Sequence, residues 1–129
     1  STAVSPDVYY MNYARLLKNI LQKYKEWGLF DEYNKGVFSW LYIKAVYQVV
    51  ERCIGIKDTN RAYGILDQQV FQDALFYEFR RMRLESISVK RRLMGFFVRK
   101  KHKRGIILLS YLIHLLKTNF RVVFAYAKE

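Results

Sequence analysis

The chain is poor in the residues that bend, cross-link or cleanly divide a sequence: one cysteine, one proline and six glycines in 129 residues. A lone cysteine, Cys53, excludes an internal disulfide and any multi-cysteine zinc site, and suits a reducing cytoplasm. So few prolines and glycines leave too little turn chemistry for a sandwich or barrel of many short strands. Long apolar runs are also missing. The longest, Ile106–Leu116, contains Ser110 and His114 and is closed by Lys117 and Arg121. A bilayer span needs about 20 mostly apolar residues, so no transmembrane helix is expected. Residues 1–15 lack the basic start and apolar core of a secretory signal. There is no internal repeat and no low-complexity tract.

What remains is apolar and aromatic. Hydrophobic residues make up 52% and aromatics 17%, with 11 Tyr, 9 Phe and 2 Trp. That is too much apolar matter for a disordered tail, and the length implies one domain, residues 1–129. The spacing predicts an all-α fold of about five helices. Pro6–Trp27 is the first, capped by Ser5 or Asp7, with Tyr9, Tyr13, Leu16, Leu17, Ile20, Tyr24 and Trp27 on one face. Gly28 suits a left-handed stop. Asp31 caps the second helix, with Phe30 as a staple residue, and Val37, Leu41, Ala45, Val49 and Cys53 repeat along it to Gly55. These two make an antiparallel hairpin. Residues 55–66 read as a linker. A third helix is expected over Asp67–Leu84, capped by Asp67. A fourth is expected over Val89–Lys101, capped by Ser86 or Ser88. Gly105 ends the basic run, and a fifth helix follows over Ile106–Ala127. Val122–Tyr126 would also suit a short strand, but one strand has no partner.

Acid is scarce in only one half of the chain. Residues 1–76 hold 9 Lys+Arg and 8 Asp+Glu, whereas residues 77–129 hold 14 Lys+Arg and 3 Asp+Glu, a net of +11. Residues 1–55 are thus a near-neutral hairpin and residues 67–129 a basic half. The cations come in clusters: Arg80, Arg81 and Arg83; Lys90, Arg91 and Arg92; then Arg99, Lys100, Lys101, Lys103 and Arg104. On a helix, Val89, Leu93, Phe96 and Phe97 share a face between them, with Met94 and Val98 toward its edges. Such a helix can lie at an anionic bilayer surface, its apolar face in the headgroup boundary. Each cation near that surface contributes about 1 kcal/mol. The plainer reading makes Leu93, Phe96, Phe97 and Val98 core residues beneath a solvated basic face. Two rival partners share the charge argument. A nucleic acid would use the Arg80–Arg104 region for phosphate contacts, although no zinc finger, RNA-binding aromatic motif or Gly-x-x-Gly clamp is present. An acidic protein would meet the same face of a helical interaction module.

Catalytic signals are lacking. His102 lies in a basic run whose cations disfavour its protonation. His114 lies in an apolar segment, where a hydrogen-bonded packing role is the expectation. Cys53 reads as a small buried hydrophobe. No His, Cys or carboxylate cluster has metal-ligand spacing, and no Gly-rich phosphate loop occurs. No metal or cofactor is expected, and no catalytic residue is assigned.

The order of segments nevertheless resembles the helical region that follows the catalytic domain in bacterial family 2 glycosyltransferases, which build capsular and surface polysaccharides. The resemblance runs from Val70-Phe71-Gln72-Asp73-Ala74-Leu75-Phe76-Tyr77 into Arg80-Arg81-Met82-Arg83. It continues through Lys90-Arg91-Arg92-Leu93-Met94-Gly95-Phe96-Phe97 to Ile106–Leu116. It implies a C-terminal piece of a longer enzyme that works at the cytoplasmic face of the membrane and transfers a sugar from a nucleotide donor. The family's Asp-x-Asp metal site is absent here, so what carries over is a role: docking an upstream catalytic domain, as a peripheral protein of the inner face, alone or as a homo-oligomer.

Overall fold

The computed structural model describes residues 5–82 and 89–119. Among them are six α-helices and no strand: α1 (Pro6–Glu26), α2 (Glu32–Gly55), α3 (Thr59–Ile65), α4 (Ala74–Arg80), α5 (Val89–Arg99) and α6 (Lys103–Asn119). A π-helical turn, Leu66–Val70, follows α3 directly. The all-α class expected from the sequence is what the chain adopts. Arg83, Ser86, Ser88 and the Val122–Tyr126 segment lie outside the described residues.

Local chemistry sets the first two helices. Ser5 caps α1 by accepting from the Val8 N–H at 3.4 Å, with Pro6 at the first helical position. Gly28 takes a left-handed φ of 67°, and Leu29 donates back to the Tyr24 carbonyl at 2.8 Å, a Schellman stop. Asp31 then accepts from the Asn34 N–H at 2.9 Å and starts α2. Phe30, one residue earlier, stacks on Tyr24 and lies beneath Lys35, so a cation takes the partner position of the expected apolar staple. Tyr9, near the start of α1, meets Gln48 and Arg52 near the end of α2. The two helices therefore run antiparallel, as expected.

Beyond α2 the boundaries differ from the sequence reading. α2 ends at Gly55, as expected, but the left-handed position falls two residues later: Lys57 takes it at φ 56°, and Asp58 donates to the Cys53 carbonyl at 2.9 Å. The expected linker contains α3, capped by Asp58, which accepts from the Arg61 N–H at 3.1 Å. The expected helix from Asp67 is divided. In a regular α-helix residues five apart point about 140° from each other. The π turn, closed by the Phe71 N–H on the Leu66 carbonyl at 2.9 Å, brings such residues toward one side. Ile65, Leu66, Val70 and Phe71 are all buried there. Asp73, not Asp67, then caps α4, accepting from the Leu75 N–H at 3.1 Å.

α5 stops two residues early because Lys101 turns left-handed at φ 54°, with His102 donating to the Phe97 carbonyl at 2.8 Å. α6 begins at Lys103 rather than Ile106. His102 supplies its first cap, Nδ1 accepting from the Gly105 N–H at 2.9 Å. Gly105 thus lies inside the first turn of α6, pressed against Phe97.

One hydrophobic core unites these pieces. Phe38, Tyr42, Val46, Val49 and Cys53 of α2 are shielded from solvent, together with Leu17, Leu66, Phe76, Phe79, Met94, Val98 and Ile106 from the elements around it. Every other α-helix packs against α2. On α1 the buried row is Tyr10, Ala14, Leu17 and Leu21. Tyr9, Tyr13 and Ile20 flank it, while Leu16 and Trp27, expected on the inner face, are exposed. No helix among the described residues is long and apolar enough to cross a membrane.

Two glycine substitutions separate packing from propensity. A Cβ on Gly105 would lie 2.7 Å from the Phe97 ring and 2.8 Å from His102 Nδ1, whereas one on Gly36 meets nothing within 4 Å. Gly36→Ala is expected to raise unfolding free energy by about 0.5–1 kcal/mol through helix propensity. Gly105→Ala is expected to lower it by about 1–2 kcal/mol through overpacking and cap loss. Urea unfolding checks both; a stabilising Gly105→Ala would contradict the packing described.

Candidate anionic-surface interface

The apolar face expected on α5 exists, but it points outward. Met94, Gly95 and Val98 are the buried residues of this helix. Val89 is 71% exposed, Phe96 52% and Leu93 41%. The sequence placed Met94 and Val98 at the edges of the face; the structure gives them the core and leaves Val89, Leu93 and Phe96 to solvent. Phe97 departs from that group. It is half-buried, its ring 5.3 Å from that of His102.

The neighbouring α6 carries a second outward row that sequence reasoning missed. Leu108 is 66% exposed, and Leu112 and Tyr111 are exposed beside it, while Ile106, Ile107, Ser110 and Ile113 are buried. The signal was present: α6 is apolar on nearly every side, and a helix of that kind needs cover on more than one face. Exposed apolar patches of this sort mark interaction surfaces.

The cations divide into three groups. Some are engaged. Lys103 pairs with Asp67 at 2.9 Å, and Lys117 with Glu51 at 3.2 Å. The Arg91 guanidinium lies 3.6 Å over the Trp40 ring of α2, where it fastens the start of α5. Lys90 is half-buried beside it. A second group is exposed with no acid among the described residues within ion-pair distance: Arg80, Arg81, Arg92, Lys100, Lys101 and Arg104. Lys100 lies 6.0 Å from the Phe96 ring, and Arg80 and Lys101 lie 6.0 and 5.3 Å from the Phe76 ring. The third is Arg99, half-buried 5.7 Å from the Phe79 ring. Burial pushes its pKa down. Arg83 lies outside the described residues.

Elsewhere the polar chemistry is structural. Asp73 joins three elements: it caps α4, pairs with Lys18 at 3.1 Å and accepts from the Tyr10 hydroxyl at 3.4 Å. It lies at the edge of a cleft of about 520 Å³ between α1 and the π turn, lined also by Arg15, Gln68 and Gln72. A second cleft, about 410 Å³, lies beside Tyr9, Arg52 and the Glu51–His114 pair, whose Nδ1–Oε2 separation is 3.3 Å. His114 is thus a hydrogen-bonded packing residue, as expected. Among the described residues, no three His, Cys, Asp or Glu side chains gather as metal ligands.

No protein family, curated protein or solved structure matches the chain.

The buried acids of the core have a measurable signature. Burial pushes the Cys53 thiol up to about 11 and raises the Tyr10 and Tyr42 hydroxyls above their ordinary range. Each is held neutral in the fold and ionises more easily in the unfolded chain. Their contribution is complete below about pH 8.5, the ordinary thiol value, and is lost as pH rises toward 11. The urea midpoint is expected to hold between pH 7 and 8.5 and to fall steadily by pH 10.5. Over the lower range a thiol reagent is expected to leave Cys53 unmodified until the chain unfolds. A flat midpoint, or rapid native labelling, would contradict this burial.

Proposed function

We propose that this chain is a non-catalytic helical domain that docks on an anionic membrane surface, and that it holds an upstream sugar-transferring domain, of the bacterial family 2 glycosyltransferase kind, beside that surface. The observation that carries the docking reading is the outward row Val89, Leu93 and Phe96, bordered by Arg92 and Lys100, on a helix whose opposite side is fixed in the core. An apolar row with cations at its margins is what an interfacial helix presents to lipid: rings and aliphatic carbons enter the headgroup boundary while ammonium and guanidinium groups stay at its polar level. The exposed Leu108, Tyr111 and Leu112 add outward apolar area on α6, which packs against α5. A polynucleotide would use the same cations, but it has little use for an outward row of aliphatic side chains. The glycosyltransferase part of the reading rests on the resemblance of segment order and on the basic, Tyr-rich, helical character of the chain.

Vesicle flotation tests the docking. The protein is expected to float with vesicles of phosphatidylcholine containing phosphatidylglycerol and to stay behind with phosphatidylcholine alone. Leu93→Glu and Phe96→Glu each remove roughly 1–2 kcal/mol of apolar transfer and add a repelled charge, so binding is expected to fall at least tenfold. Because both side chains are exposed, the thermal midpoint is expected to stay within a few degrees of the parent. Equal recovery on neutral lipid, no recovery on either, or indifference to both substitutions would overturn the proposal. Salt-sensitive binding to single-stranded DNA without lipid binding would favour the nucleic-acid alternative.

A further inference from the structure

Arg99 closes α5 with a guanidinium that has no anion among the described residues. Its Nε and Nη2 atoms are covered, and neither meets a hydrogen-bond acceptor. These two nitrogens lie side by side along one edge of the guanidinium. That edge is suited to gripping a carboxylate or phosphate through two parallel N–H···O bonds. Covered donors left without acceptors are rare and costly in folded chains, and an absent ion is one of the recognised reasons for them.

The described acids of the π turn and α4 are committed elsewhere. Asp67 pairs with Lys103, Asp73 with Lys18 and Glu78 with Lys25, the last at 3.0 Å. No carboxylate of the π turn or α4 is left for Arg99. Two further cations, in contrast, lie against a ring of the same helix. The Phe76 and Phe79 rings lie one turn apart on α4, which packs against α5. Arg99 approaches the Phe79 ring, and Arg80 and Lys101 approach Phe76. Three positive groups from the end of α4, the end of α5 and the turn that follows are thus ranged along one pair of rings.

We propose that Arg99, Arg80 and Lys101 form a binding site for a phosphomonoester. Arg99 supplies the two-donor edge, and the other two supply charge. A monoester carries close to two negative charges near neutral pH and three terminal oxygens, whereas a phosphodiester carries one charge and two such oxygens. Three cations ranged along one pair of rings favour the former. The phosphate belongs either to a lipid headgroup in the surface or to a free phosphate in solution. In its lipid form the inference rests on the docking reading; in its soluble form it does not.

The test uses the full chain with Arg99→Lys, which keeps the charge and removes the fork, and with Lys101→Gln, an exposed position that leaves the core intact. One arm compares vesicles of phosphatidylcholine containing phosphatidic acid with vesicles containing phosphatidylglycerol, matched in surface potential. The other compares thermal midpoints in sodium phosphate and in sodium chloride at equal ionic strength. A lipid source is expected to give at least fivefold preference for phosphatidic acid, reduced to parity in both variants while phosphatidylglycerol binding persists. A soluble source is expected to raise the midpoint in phosphate by a few degrees in the parent alone, with the two lipids equal. Equal lipids together with equal midpoints in the parent would overturn the site, as would a preference that survives both substitutions. Loss of all vesicle binding in the Phe96→Glu variant, with the phosphate-dependent midpoint retained, separates the fate of this site from that of the docking row.

Discussion

The fold depends on the burial of one helix on several sides. α2 contributes Phe38, Tyr42, Val46, Val49 and Cys53 to the interior with essentially no exposed surface, and each of the other helices contacts it. Isolated helices of 7 to 11 residues, such as α3, α4 and α5, do not hold together in water on propensity alone. They persist here because each has a strip of α2 to lie on. Branched and aromatic side chains along α2 make this possible, since they offer dense contact in several directions at once.

Polar groups then fix the order in which the elements lie on that axis. Asp73 ties α1 to the head of α4, and Glu51 ties α6 to α2 through His114 and Lys117. Arg91 against Trp40 fastens the start of α5. These contacts consume some of the positive charge that the sequence concentrates in the second half. What they leave, Arg80, Arg81, Arg92, Lys100, Lys101 and Arg104, is a surplus that the chain's own described acids do not meet. The surplus and the outward apolar rows together support a partner that is both anionic and able to accept hydrocarbon.

The sequence was most legible where a local rule decides the outcome. Ser5, Gly28 and Asp31 mark ends through their own side chains or their own φ, so the first hairpin could be read directly. Legibility failed where tertiary packing decides. Lys57-Asp58-Thr59-Asn60 has the look of a loop, yet Asp58 caps a short helix that α2 shelters. Two lysines occupy left-handed positions where glycine is the usual signal, and one of them, Lys101, ends α5 earlier than the pattern suggested. The π turn leaves no trace in a pattern searched at 3.6 residues per turn. On α5 the period correctly grouped Val89, Leu93 and Phe96, but a period says which residues share a side and not which way that side faces. Met94 and Val98 won the interior because they meet α2 and its neighbours, and no single-sequence pattern contains that choice.

The absent side chain of Gly105 has a mechanical consequence. With the Phe97 ring seated where a methyl group would otherwise be, the end of one helix is braced directly against the first turn of the next, and only a short corner separates them. Such an elbow has little play. Whatever tilt one arm takes is handed to the other, so the pair swings as one lever rather than as two independent arms.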